Sequence, residues 1–270
     1  MTIVSAFLVP GSPLPYLHSD NPPWSTIASG YRAAARALSA SRPDTILLYS
    51  TQWLAVLDEL WQVRPHLADV HVDENWYEFG DLPYDLNFDA ELAEACVKGS
   101  KDIGISSKGI NFEKFPVDTG TIVASGFLNP GGRIPLTVAA NNLYHSFDDT
   151  LRLGEMAARK AESLNRRVAI VGVGGLSASL FRQEIDIRND GIVTAEDDQA
   201  NRRMLALLER GGGEELIEAC GTFAKEAKAD MGFKHFAWVF GGMGRRFSGA
   251  RVHAYGATWG AGAAVIEFKL

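Results

Sequence analysis

The chain has 270 residues, 46% of them hydrophobic, with a formal net charge of −7 at pH 7. That length allows one large α/β domain or two small ones, with a sizeable buried core. The acidic balance argues against a nucleic-acid partner, which would call for a basic stripe. Two cysteines, Cys96 and Cys220, sit in helix-like stretches and read as reduced, buried thiols. No apolar run reaches the ~20 residues a bilayer crossing needs. The opening Met1-Thr2-Ile3 has no basic stretch, so no signal peptide is expected, and a cytoplasmic location is.

In chain order, Ile3 to Val9 reads as a buried strand, closed by a Pro-rich turn from Pro10 to Pro15. Ser25 to Leu38 carries Ile27, Tyr31, Ala34, Ala35 and Leu38 at helical spacing, and Asp44 to Ser50 is a second strand. Gln62 to Asp89 is the least regular stretch and is rich in aromatic and acidic residues. A loop of that length is usually functional or covered, so Trp76, Tyr77, Phe79 and Tyr84 are expected at a subunit contact. Ala90 to Ile103 reads as a helix, and Ile134 to Ala139 as a strand. Ser146 caps a helix to Leu164, with Asp148 and Asp149 in its first turn. Arg167 to Val173 is a strand, and Ala200 to Leu208, Glu214 to Lys228 and Phe233 to Met243 read as helices. Arg251 to Thr258 and Ala263 to Phe268 form a strand pair around Gly260-Ala261-Gly262. The alternation of strands and helices predicts an α/β fold, one layered domain over residues 1–270 with a central mixed sheet flanked by helices. There is no linker or internal repeat.

Four segments carry the chemistry: Pro10-Gly11-Ser12-Pro13, Ser50-Thr51-Gln52-Trp53, Gly174-Gly175-Leu176-Ser177-Ala178, and Ala227 to Trp238. With Val117-Asp118-Thr119-Gly120-Thr121, Asn141-Asn142 and the ending Tyr255 to Phe268, they follow one another as in the class III extradiol ring-cleaving dioxygenases. The chain resembles that family over nearly its whole length. In the family the first segment reads Pro-His, the second ends His-Trp and the third ends Leu-Ser-His. Here those positions are Gly11, Gln52 and Ala178, and the carboxylate position falls on Asp230.

The resemblance implies a scaffold whose chemistry has been lost. Two imidazoles and a carboxylate hold Fe(II) on one face in such enzymes. Gly11 offers no donor, Gln52 offers only an amide, and Ala178 cannot move a proton. Ser12, Gln52, Thr119, His145, Ala178 and Asp230 are the expected lining of the former pocket. The likeness extends to heteromeric, aminophenol-cleaving members with an iron-free subunit. This chain is therefore expected to hold no metal or cofactor. It would pair, in an α2β2 assembly, with a homologous catalytic β subunit that carries Fe(II).

A stand-alone protein that binds a small molecule in the emptied pocket is the alternative. A metalloenzyme with relocated ligands is a third reading; among the six histidines only His66 and His71 lie close in sequence. Val168 to Ser177 resembles the start of a dinucleotide-binding turn, but Ser177 replaces the third glycine. No Gly-x-Ser-x-Gly nucleophile elbow is present. Glu196-Asp197-Asp198 reads as a helix N-terminal charge cluster.

Overall fold

The computed structural model describes residues 3–270; Met1 and Thr2 lie outside the described residues. The strands are β1 (Ile3–Val9), β2 (Thr45–Ala55), β3 (Glu59–Gln62), β4 (His66–His71), β5 (Leu82–Asn87), β6 (Ser107–Ile110), β7 (Leu136–Asn142), β8 (Val168–Val173), β9 (Gly249–Thr258) and β10 (Ala261–Lys269). The helices are α1 (Leu14–Leu17), α2 (Pro22–Ser41), α3 (Ala90–Asp102), α4 (Thr119–Leu128), α5 (Phe147–Ser163), α6 (Ala195–Arg210), α7 (Leu216–Glu226) and α8 (Lys234–Gly242).

Eight strands form one mixed sheet in the order β6-β3-β7-β2-β8-β1-β10-β9. Its centre, β7-β2-β8-β1, is parallel; β10 runs antiparallel to both β1 and β9. Central strands buried on both faces read as continuous apolar runs, and β8, Val168 to Val173, is buried throughout. One face is covered by α2 and α4, where Phe7, Ile27, Tyr31, Val123 and Val171 meet. The other is covered by α3 and α5 to α8, around Leu47, Trp61, Met156, Phe236 and Trp238. The mixed central sheet flanked by helices matches the sequence expectation.

The closest helix contact is α5 against α8, and it is made by glycines. A Cβ on Gly154 would stand 2.1 Å from the Trp238 carbonyl oxygen, and one on Gly241 2.0 Å from that of Leu151. Any larger residue at either position would push the two backbones apart. Ser146 begins α5 with a reciprocal capping box to Asp149. Thr194 caps α6, so Glu196, Asp197 and Asp198 do occupy a first helical turn.

The structure differs from the sequence reading in several places, among them the start of α6 at Ala195 rather than Ala200. Helix α2 starts at Pro22 rather than Ser25, because proline is well tolerated in the first helical turn. Helices α1 and α4 and strands β3 and β6 are absent from the sequence reading; α1, β3 and β6 span four residues each, and α4 is buried on nearly all sides. The last hairpin turns at Trp259 and Gly260, both at positive φ, one step before the expected turn. The Gln62 to Asp89 stretch is not irregular: β4 and β5 pair over six residues as a separate two-stranded sheet. Trp61 belongs to the core.

The aromatics of that hairpin pack mainly on their own chain. Trp76 meets Trp259 at 5.1 Å between ring centroids, and Phe79 meets Trp24 at 6.0 Å. Asp190 fixes the far side, accepting from the Trp24 indole at 2.8 Å and from the Trp259 and Gly260 amides. Tyr77, in contrast, is 59% exposed. Trp76→Ala should therefore cost about 2 kcal/mol, less than the ~3–5 kcal/mol of a fully buried aromatic. Tyr77→Ala should stay within ~0.5 kcal/mol. Urea denaturation followed by circular dichroism checks both values, and equal effects would contradict this packing.

Candidate functional site

The parallel strands β1, β2, β7 and β8 all end at one rim of the sheet, the usual place for a site in α/β folds. The Pro10 turn leaves β1 there, and its carbonyl accepts a hydrogen bond from the Tyr31 hydroxyl of α2. The β2–β7 ladder slips at the same level. Tyr49 pairs with Ala139 and Leu54 with Asn141, so four β2 residues, Ser50 to Trp53, lie opposite Ala140 alone. A bulge of this kind re-aims side chains. Asn141 fills the gap, donating to the Thr51 carbonyl at 3.0 Å and accepting from the Tyr49 hydroxyl at 2.8 Å.

Gly11 and Gln52 meet, and Asp230 bonds to Thr51, the neighbour of Gln52. A Cβ on Gly11 would lie 3.0 Å from the Gln52 Nε2. The Gln52 amide also faces the first turn of α4, where a Cβ on Gly120 would stand 3.1 Å from Gln52 Oε1 and 2.7 Å from Ser50 Oγ. Ser50 donates to Asp118 at 2.5 Å, and Asp118 caps α4 through the Thr121 amide at 3.0 Å. Asp230 arrives from the other side. Its Oδ2 accepts from the Thr51 hydroxyl at 2.7 Å and from the Gly175 amide at 2.9 Å. The residue is presented by a strained turn: Met231, Gly232 and Phe233 all have positive φ, at 45°, 68° and 64°. Non-glycine residues in this region cost of order 1–3 kcal/mol each.

Ala178 follows a rigidly held segment. The Ser177 hydroxyl takes hydrogen bonds from Asn201 at 2.9 Å and Gly262 at 3.1 Å, and Leu176 accepts from the Asp230 amide. Ala178 itself is exposed, and Ser12 is half-buried beside Gly11. Thr119 turns elsewhere, donating to Asp73 at 2.5 Å and contacting His71 Nε2 at 2.9 Å. His66 pairs instead with Asp85, so His66 and His71 serve different partners.

His145 points to a cluster that sequence reasoning missed. Its Nδ1 lies 3.3 Å from Glu59 Oε2, within charge-pairing range but without hydrogen-bond alignment, which leaves both Glu59 oxygens unpartnered. Glu59 is fully buried. Burial raises its carboxyl to about 7, against the opposing pull of His145 and Lys234. Lys234 is buried as well and donates to the carbonyls of Asn142 at 2.7 Å and His145 at 3.3 Å; burial lowers its ammonium. His235 packs its ring against Gly174, and burial lowers it to about 4, with Asp230 pulling the other way. Beside Asp58, Glu59 reads as a turn charge in the sequence, and nothing there marks it as buried.

The donor set at Gly11, Gln52 and Asp230 does not fit a mononuclear iron. It provides one amide and one carboxylate oxygen pair, of which Oδ2 already holds two protein donors. Among the described residues, no group of three or more His, Cys, Asp or Glu is arranged to hold a metal ion, and no helix is long and apolar enough to cross a membrane.

Glu59 and His235 should shape the pH dependence of stability in opposite directions. The folded state holds the Glu59 proton, so this contribution is present below pH 4.5 and is lost as pH rises through about 7. The folded state sheds the His235 proton, so that contribution is present above pH 6.5 and is lost as pH falls through about 4. Glu59→Gln should remove a decline of roughly 3 kcal/mol at most and leave the acid-side loss attributed to His235. Denaturant midpoints from pH 4 to 8 measure this; unchanged curves in the variant would contradict the assignment.

The comparisons with known proteins follow the same architecture. The family model described as the catalytic LigB subunit of aromatic ring-opening dioxygenase matches residues 6–266. A 2-aminophenol 1,6-dioxygenase alpha subunit from Pseudomonas sp is 48% identical, covering 100% of both chains. A 2-aminophenol 1,6-dioxygenase beta subunit, also from Pseudomonas sp, is 27% identical, covering 99% of this chain and 94% of its own. A 3,4-dihydroxyphenylacetate 2,3-dioxygenase from Escherichia coli is 22% identical, covering 72% of each chain. The crystal structure of an uncharacterized protein from Escherichia coli K12 shares the fold at 12% identity, with a TM-score of 0.68 over 98% of this chain and 99% of that one. The chain belongs to the LigB family of aromatic ring-opening dioxygenases.

Proposed function

We propose that this chain is the iron-free α subunit of a heteromeric 2-aminophenol 1,6-dioxygenase, acting as one domain over residues 1–270. A homologous β subunit would carry the Fe(II) and the acid-base histidine. With O2, the complex would open the ring beside the amine-bearing carbon, giving an aminomuconate semialdehyde. The assembly would be α2β2 and cytoplasmic. The observation that carries this reading is the end-to-end 48% identity to an alpha subunit, against 27% to a beta subunit.

The local chemistry supports the same division of labour. Gly11 and Ala178 supply neither ligand nor proton carrier, and the Asp230 carboxylate is engaged within the protein. The rim of the sheet keeps its shape through hydrogen bonds, so a partner could use the surface even where the chemistry is gone. Under this reading Ser12, Gln52, Thr119, His145, Ala178 and Asp230 mark the former pocket, with His145 redirected to Glu59.

The purified chain alone should contain no stoichiometric iron and cleave no 2-aminophenol, while mixing it with the β subunit should raise the yield or activity of that subunit. Elemental analysis and an oxygen-uptake assay read both; about one iron per isolated chain would overturn the reading. Restoring Gly11→His and Gln52→His together with Asp230→Glu should raise Fe(II) affinity, since replacing Gln52 clears the space a Gly11 side chain needs. Full activity should not return, because Ala178 still lacks the proton-transfer group, which is worth ~10²–10⁴-fold. Fe(II) affinity unchanged from the parent, by calorimetry, would show that these positions are not the ligand positions.

A further inference from the structure

On the face covered by α2 and α4 lies an open groove of about 850 Å³ with an apolar floor that includes Ala35, Phe127 and Ile134. Arg32, Arg36 and Arg133 line it. All three are exposed, and none forms a salt bridge among the described residues. Arg32 and Arg36 stand four apart on one helix, a like-charge spacing that weakens a helix unless an anion answers it. This cationic cluster sits on a chain whose net charge is −7.

The complementary surface is on the same molecule. Residues 66–87, the β4–β5 hairpin, contain six acidic residues and no lysine or arginine. Asp69, Glu74, Glu78 and Asp81 are exposed and carry no salt bridge among the described residues. Between them Val70, Val72 and Tyr77 are 52%, 51% and 59% exposed. The hairpin borders the groove: Asn87 of β5 donates to the carbonyl of Gly132, the residue before Arg133. Acidic-apolar and basic-apolar surfaces therefore lie side by side.

We propose that the acidic β4–β5 hairpin of one copy of this chain docks in the arginine-lined groove of a second copy, and reciprocally. A two-fold axis between adjacent surfaces of opposite charge sets each against its complement twice, the self-complementarity that a symmetric dimer requires. The exposed valines and Tyr77 meet the apolar floor, and the charges fix register and speed the encounter. The contact joins like chains, and the inference stands apart from the catalytic reading above.

Native mass spectrometry and sedimentation of the full chain, alone and co-purified with a catalytic β subunit, count copies per particle. Two copies of this chain are expected, with association weakening as salt rises. Arg32→Glu with Arg36→Glu, and separately Asp69→Lys with Glu74→Lys, should each weaken pairing at least about tenfold. The four substitutions combined in one chain should restore it, and circular dichroism confirms that each variant is folded. One copy per particle for the isolated chain would overturn the proposal, since an α2β2 particle holds two copies whichever surfaces join them. So would charge-reversed variants that pair as tightly as the parent, or a folded four-site variant that stays apart. A hairpin that contacts only the β subunit would give the first of these results.

Discussion

The rim of this sheet depends on one carboxylate. Asp230 Oδ2 accepts from the Thr51 hydroxyl of β2 and from the Gly175 amide after β8. It thereby ties two parallel strand ends to the turn that launches α8. Both hydrogen bonds converge on one oxygen of that side chain. They hold a segment in which Met231 and Phe233 sit in left-handed backbone. Such conformations persist only where surrounding structure over-determines them. Here the over-determination comes from protein donors on both sides of the Asp230 carboxyl group.

Around that staple, each turn at the rim is held by its own side-chain hydrogen bond. Tyr31 holds the Pro10 turn, Asn141 fills the β2 bulge, Asp118 and Ser50 lock the start of α4, and Asn201 fixes Ser177. Gly11 and Ala178 are then small residues on a fully built frame. A second polar centre, Glu59 with His145 and Lys234, secures the loop between β7 and α5. Burial without a hydrogen-bond partner disfavours the charged form of Glu59, which is why its carboxyl is raised to about 7.

Much of this was legible in the sequence. Ile3 to Val9, Thr45 to Tyr49 and Val168 to Val173 announce buried strands of a layered α/β domain, because strands covered on both faces do not alternate polar and apolar residues. The motifs at Gly11 and Gln52 follow β1 and close β2, and the structure sets these two residues side by side, with Asp230 bonded to the adjacent Thr51. Thr119 and His145 were harder to place, since their direction depends on Asp73 and Glu59, distant in sequence. The β4–β5 hairpin was read as loop because its acidic residues interrupt the alternation that marks a strand. Its aromatics bury themselves through Trp24 and Trp259, which no local pattern reveals.

Central to this account is that the protein keeps the family frame while the iron chemistry resides in a partner. Anomalous diffraction at the iron edge, from crystals of this chain assembled with a catalytic β subunit, tests that claim directly. The account predicts an anomalous peak in the β subunit and none among Gly11, Gln52 and Asp230, with Asp230 still bonded to Thr51 and Gly175. A peak at those three residues, with Asp230 turned away from Thr51 to meet it, would contradict it.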